Sequence, residues 1–232
     1  SGVFNVITIS PDGMVEPITS STTDAHFAES FFPNDDRILL RADRGGNELT
    51  NIYVREADGS MKDLTPSETD KAIFGGWRMD GEVFYIWSNE REPSSFDVYA
   101  YRADDYSREL IFENPGLQPG AISPDGNWLS MDKPITSSNS DIYIVSLQDD
   151  TPEPMLITEH EGNIAYSTYG FKSDSTQLIY ATNEFGEFNQ AWTYDLSTGE
   201  KAKLIAAEWD VSYVTRSPSG RYHRHVETNR GA

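Results

Sequence analysis

The side chains best suited to chemistry are charged and amide groups that recur between apolar, β-branched segments. Arg44 and Glu48, then Asn89, Glu90 and Arg91, then Asp132 and Lys133, then Asn183, Glu184 and Glu187 all sit in such polar stretches, with Asp43 and Arg230 in the same class. Guanidinium, carboxylate and amide groups held in loops on a rigid scaffold bind peptides, proteins or polar ligands. No catalytic pattern accompanies them. The chain lacks G-x-S-x-G, G-x-x-x-x-G-K-[ST], G-x-G-x-x-G and H-E-x-x-H, and it has no cysteine. Glu184 and Glu187 have the residue types of a glycosidase pair, but such pairs arise anyway in a chain with 38 acidic residues. His223 and His225 alternate along one segment, which puts both on one face. They would need His26 or a carboxylate to complete a metal site. His160-Glu161-Gly162 reads as a turn. The residues alone assign no catalytic group, no metal and no cofactor.

The composition bounds the partners. The 232 residues carry a formal net charge of −20, from 18 basic and 38 acidic side chains. That field repels phosphate backbones and anionic lipid, so nucleic acid and membrane are disfavoured as partners. No apolar run approaches the roughly 20 residues of a membrane-spanning helix. Hydrophobic residues make up 37% of the chain and aromatics 12%, enough for a folded core. The absence of cysteine leaves the compartment open, so a soluble protein of cytoplasm or periplasm is expected without a choice between them.

The elements that must position the polar groups are short strands. Residues 121–158 give the plainest unit: a strand ending at Ile122, the turn Ser123-Pro124-Asp125-Gly126, a strand through Trp128–Met131, a polar loop, the strand Asp141–Leu147, and a fourth strand near Pro154–Ile157. Proline presets φ, aspartate bonds its own backbone and glycine takes positive φ, which makes the turn. The strand Asp141–Leu147 has apolar residues on both faces, so its sheet is expected to be covered on both sides. The same pattern recurs. Matching turn residues are Asn34, Asp80, Asp125, Asp174 and Ser219, at intervals of 46, 45, 49 and 45, and counting through the two chain ends gives 47. Four-stranded units of about 40–50 residues are the size of propeller blades.

The expected fold is therefore all-β: a β-propeller of four-stranded antiparallel blades over residues 20–65, 66–113, 114–158 and 159–206, with a fifth made by 207–232 together with 1–19. Sharing one blade between the two ends protects the sheet edges. The alternative is an arc of a seven- or eight-bladed ring. No segment has a capped helical period. The strand-two to strand-three loops, read as 42–50, 88–95, 132–139, 182–189 and 228 to 2 across the closure, gather the polar candidates on one face. The turn residues Asp12, Asp58, Asp80, Asp125 and Asp174, and Asp97 and Asp141 before strand three, read as structural. Trp77, Trp87, Trp128 and Trp192 read as packing between blades.

The S-P-D-G turns and the D-[IV]-Y strands resemble TolB-like and WD40-like propeller repeats. The runs FGGWRMDGEVFYIWSNEREPSSFDVYAY at 74–101, Gly120–Leu147, Glu187-Phe188 and Trp209-Asp210-Val211 tighten the likeness. Together they resemble the N-terminal propeller of prolyl-oligopeptidase-family serine peptidases. That resemblance implies a domain that gates peptide substrates, with a hydrolase domain in cis carrying the catalytic residues, none of which falls in this chain. It also allows a stand-alone scaffold that binds a peptide or protein ligand; apart from the resemblance, a five-bladed glycosidase is a distant alternative.

Overall fold

Twenty strands and no helix form the described structure, a computed structural model that describes residues 2–217 and 220–228. The turn residues Pro218 and Ser219, the loop residue Arg230 and the side chain of His223 lie outside the described residues. The chain forms two compact units, residues 1–113 and 114–232.

The first unit contains β1 (Ile7–Ile9), β2 (Val15–Pro17), β3 (His26–Phe31), β4 (Ile38–Ala42), β5 (Asn51–Arg55), β6 (Met61–Asp63), β7 (Ala72–Trp77), β8 (Val83–Glu92), β9 (Ser95–Arg102) and β10 (Arg108–Phe112). The second contains β11 (Gln118–Ile122), β12 (Trp128–Thr136), β13 (Asn139–Ser146), β14 (Met155–Leu156), β15 (Tyr166–Phe171), β16 (Gln177–Thr182), β17 (Gln190–Asp195), β18 (Lys201–Ile205), β19 (Asp210–Arg216) and β20 (His223–Thr228). Strands β3–β6, β7–β10, β11–β14 and β15–β18 make four antiparallel four-stranded sheets in chain order, while β1–β2 and β19–β20 are two-stranded. The four-strand size and chain order of these sheets match the repeat.

The periodicity is physical. The turn joining the first two strands closes in every repeat with the same bond. The amides of Phe32, Arg78, Ser123, Lys172 and Ser217 donate to the carbonyls of Arg37, Val83, Trp128, Gln177 and Tyr222. Aspartate stabilises these turns as expected, with Asp80, Asp125 and Asp174 accepting the amide two residues on. A second repeated feature has no sequence signature of its own. Each first-to-second strand pair shifts register once, at Ala28/Ser30, Phe74/Gly76, Pro119/Ala121, Thr168/Gly170 and Val211/Tyr213. The extra residue sharpens the local twist. At Gly75 and Gly120 it must be glycine, because a Cβ there would lie 2.7 Å from Trp87 Nε1 and 2.6 Å from the Ser130 carbonyl oxygen.

Each two-stranded sheet repeats half of the four-stranded pattern. β19–β20 carries the turn bond of strands one and two, with its bulge five residues before Ser217 rather than the three seen before Phe32, Arg78, Ser123 and Lys172. β1–β2 repeats β5–β6: the Val6 amide donates to Thr19 Oγ1 as the Ile52 amide does to Thr65 Oγ1, and Ile18 N donates to Val6 O as Leu64 N does to Ile52 O.

The core lies between neighbouring sheets. In the first unit Phe32 and Leu39 of one sheet meet Trp77, Phe84 and Tyr101 of the next. Phe84 is fully buried, with ring centroids 5.1 Å from Trp77 and 5.3 Å from Tyr101. In the second unit Trp128 and Ile144 pack on Leu178 and Tyr180. Trp77 and Trp128 thus serve sheet-to-sheet packing.

Two of the expected loops are largely strand. β8 runs on to Glu92 and returns at Ser95, and β12 runs to Thr136 and returns at Asn139, with pairs such as Glu92↔Ser95 and Lys133↔Asp141. Residues 90–94 and 133–138 are exposed, so the ribbon ends meet solvent and read as polar, while Ser88 and Ser95 at the base of the first are buried. Backbone pairing holds them nonetheless.

Candidate functional site

Each candidate side chain is placed by its strand. In the first unit Arg44 lies in the exposed β4–β5 loop and pairs with Glu68 at 3.1 Å, and Glu48 sits exposed in the same loop at φ 62°. Asn89 ties the β8 ribbon to the preceding connection, its Oδ1 accepting the Lys71 amide at 2.6 Å and its Nδ2 donating to Pro93 O at 3.0 Å. Arg91 grips the fully buried Asp97 through two bonds of 2.6 and 2.8 Å. That pairing explains the aspartate, which lies inside β9 rather than before it, as Asp141 lies inside β13.

Glu90 reaches a cavity. Its Oε2 accepts from Arg108 Nη1 at 2.9 Å, and Arg108 also donates to Tyr101 Oη at 3.2 Å. Glu90 and Arg108 wall a pocket of about 200 Å³ with Ser67, Lys71, Ala72 and Ser88. The β6–β7 connection, β7, β8 and the start of β10 supply this lining. Burial, then the hydrogen bond to Glu90, pushes the Tyr99 phenol up to about 12. Glu90 holds the Arg108 guanidinium above its ordinary value. The pocket therefore presents a fixed carboxylate–guanidinium pair beside hydroxyls and a lysine.

In the second unit Asp132 is on β12, not in a loop. It accepts from Thr168 Oγ1 at 2.7 Å and from the Thr168 amide at 3.3 Å, across to the next sheet. Burial raises its pKa against those two bonds. Lys133 and Glu187 are exposed. Asn183 repeats Asn89, accepting the Ala165 amide at 2.9 Å. Glu184 repeats Glu90: each amide donates to the hydroxyl two residues back, Thr182 and Ser88, and Glu184 Oε2 lies 3.7 Å from Lys201 where Glu90 meets Arg108. Here the space is filled. Tyr166 and Tyr180 are buried, and burial raises both phenols, with the Glu184 charge adding to it. Tyr166 Oη, Tyr180 Oη, Glu184 Oε2 and Trp192 Nε1 are buried without a hydrogen bond of ordinary geometry.

Of the histidines, His160 is not a free turn residue. It bonds Asn139 Oδ1 at 2.9 Å and Thr158 O at 2.8 Å, and its ring lies 5.2 Å from that of Tyr166. His26 bonds Asp24 O, and His225 approaches Glu227 at 3.6 Å. No cluster of three or more histidine, aspartate or glutamate ligands occurs among the described residues. No helix among those residues is long and apolar enough to cross a membrane. Ala72, Ser67 and Arg108 went unnoticed in the sequence because each is ordinary alone. Laying the second blade over the fourth would have found them.

No protein-family profile and no curated protein matches the sequence. Solved structures do match. A prolyl endopeptidase aligns over 89% of this chain and 33% of its own at 12% identity and a TM-score of 0.65. TolB from Acinetobacter baumannii aligns over 90% of this chain at 15% identity and a TM-score of 0.59, and this chain spans 64% of that TolB. A TolB from Agrobacterium tumefaciens gives 94% and 75% coverage at 16% identity and a TM-score of 0.63. The fold is thus that of β-propellers, in the form shared by TolB and the propeller domain of prolyl oligopeptidases.

Proposed function

We propose that this chain is a non-catalytic propeller that holds a peptide or protein segment at the strand-two to strand-three ends of its blades. The pocket around Glu90 and Arg108 carries this reading. At about 200 Å³ it is smaller than the roughly 300–1,000 Å³ of whole-ligand sites, and so suits one side chain of a longer ligand. Its lining offers a carboxylate, a guanidinium and hydroxyls, groups that complement peptide amides and side chains. Arg44, Glu48, Asn89, Arg91, Asp132, Lys133, Asn183, Glu184 and Glu187 belong to the same ends of their blades, as ligand contacts or as the supports that set the ribbons.

Two settings fit. The likeness to a prolyl endopeptidase, a protein whose inter-domain dynamics bears on catalysis and specificity, supports a substrate gate beside a hydrolase domain in cis. The TolB likenesses support a free-standing scaffold. A G-x-S-x-G domain encoded after Ala232 decides for the gate, and a stop codon there decides for the scaffold. The half-blades β1–β2 and β19–β20 further support a five-bladed reading in which the two ends complete one blade.

The test is retention of peptides from a tryptic casein digest on the immobilised chain, read by mass spectrometry. The expected result is a defined retained set, weakened about tenfold by Glu90→Gln with Arg108→Gln, the scale of one charge-assisted bond. An empty column, or a double variant that retains the same set as strongly, contradicts the site. Turnover of chromogenic peptides by this chain contradicts the non-catalytic reading.

A further inference from the structure

The pocket in the second blade is the space that two aromatic rings fill in the fourth. Ala72 pairs with Ser88 on β7–β8 as Tyr166 pairs with Thr182 on β15–β16, and Asn89 and Glu90 match Asn183 and Glu184. Arg108 pairs with Tyr101 as Lys201 pairs with Tyr194, so the cations correspond too. Thr65 and Thr158 each accept the amide of an isoleucine in strand three, Ile52 and Ile142, and two residues further on stand Ser67 and His160. Alanine and serine thus line a cavity where the other blade buries a tyrosine ring against a histidine. In that blade the Lys201 ammonium lies 5.9 Å from the tyrosine ring.

We infer that the Ala72 pocket takes the side chain of a tyrosine from the bound peptide, with its hydroxyl at Glu90 and its ring among Ser67, Ala72 and Arg108. This rests on the peptide-binding reading and adds its specificity. The fourth blade acts as an internal template: the same sheet geometry, glutamate and cation already enclose a phenol. Carboxylate and guanidinium together suit a hydroxyl that both donates and accepts, and the Arg108 guanidinium suits an aromatic face.

The test uses fluorescein-labelled alanine pentapeptides with tyrosine, phenylalanine or alanine at the centre, titrated by anisotropy. Tyrosine is expected to bind roughly 30-fold more tightly than alanine, from burial of the ring and one hydroxyl bond, with phenylalanine between. Ala72→Tyr copies the fourth blade into the pocket and is expected to abolish the preference. Glu90→Gln, which leaves the cavity open, is expected to narrow the gap between tyrosine and phenylalanine. Equal affinity for the tyrosine and alanine peptides overturns the inference while leaving peptide binding in place. An Ala72→Tyr chain that melts normally and keeps the preference overturns it as well. Failure of all three peptides to bind overturns the peptide reading with it.

Discussion

Phe84→Ala is expected to lower the melting temperature by about 6–20 °C. Phe84 is fully buried and meets Phe32 of the preceding blade as well as Trp77 and Tyr101 of its own. Truncating a buried phenylalanine costs roughly 3–5 kcal/mol, from lost transfer energy and the cavity left behind. In a domain of this size each kcal/mol moves the midpoint by about 2–4 °C. The ring lies at the contact of two blades, so the loss loosens both. Ile135→Ala is the matched control: Ile135 is 53% exposed on the β12 ribbon and should change stability by no more than about 0.5 kcal/mol. Calorimetry on both variants checks this, and equal melting points would contradict the assigned core.

Removing residues 1–19 is expected to abolish cooperative unfolding or to cause aggregation. The deleted hairpin supplies Val6, which packs on Ile38 and Leu40 of the first four-stranded sheet beside Ile18 and Tyr53. Re-exposing apolar side chains of this size costs roughly 1.5–3 kcal/mol each, against a total stability of about 5–15 kcal/mol. It also bares apolar sheet surface, which invites association. A truncated chain that melts in the same single transition would contradict this.

The fold was legible because its period is written in residues that turns require. Asp80-Gly81, Asp125-Gly126 and Ser217–Gly220 mark a bend whatever surrounds them, and their spacing shows the repeat. Strand β5, expected at Asn51–Arg55, is found there. The ribbons were read as loops because Glu90-Arg91-Glu92 and Asp132-Lys133 are charged and the ribbon ends are exposed, which leaves no apolar alternation to betray a strand. The bulges leave no mark except at Gly75 and Gly120, where a side chain would collide.

The candidate site was legible only in part. Glu90 stood out by charge and place, but its partner Arg108 occupies an unremarkable position in strand four. The cavity arises from what Ala72 and Ser67 lack, which no motif records. Only comparison of blade with blade, Ala72 against Tyr166 and Arg108 against Lys201, shows a vacancy in one as a ring in the other.

The proposed five-bladed reading turns on the two chain ends completing one blade between them. In the proposed shared blade β20 would take the place of β4 and β1 that of β5, a register that predicts Arg224 opposite Thr8, as Leu39 stands opposite Val54. The chain has no cysteine, so Thr8→Cys with Arg224→Cys introduces one clean pair. Mild oxidation of the monomer should give a single intramolecular disulfide, seen as the loss of both thiols without any change in oligomer size. Thiols that stay free, or that link only between molecules, would contradict the shared blade.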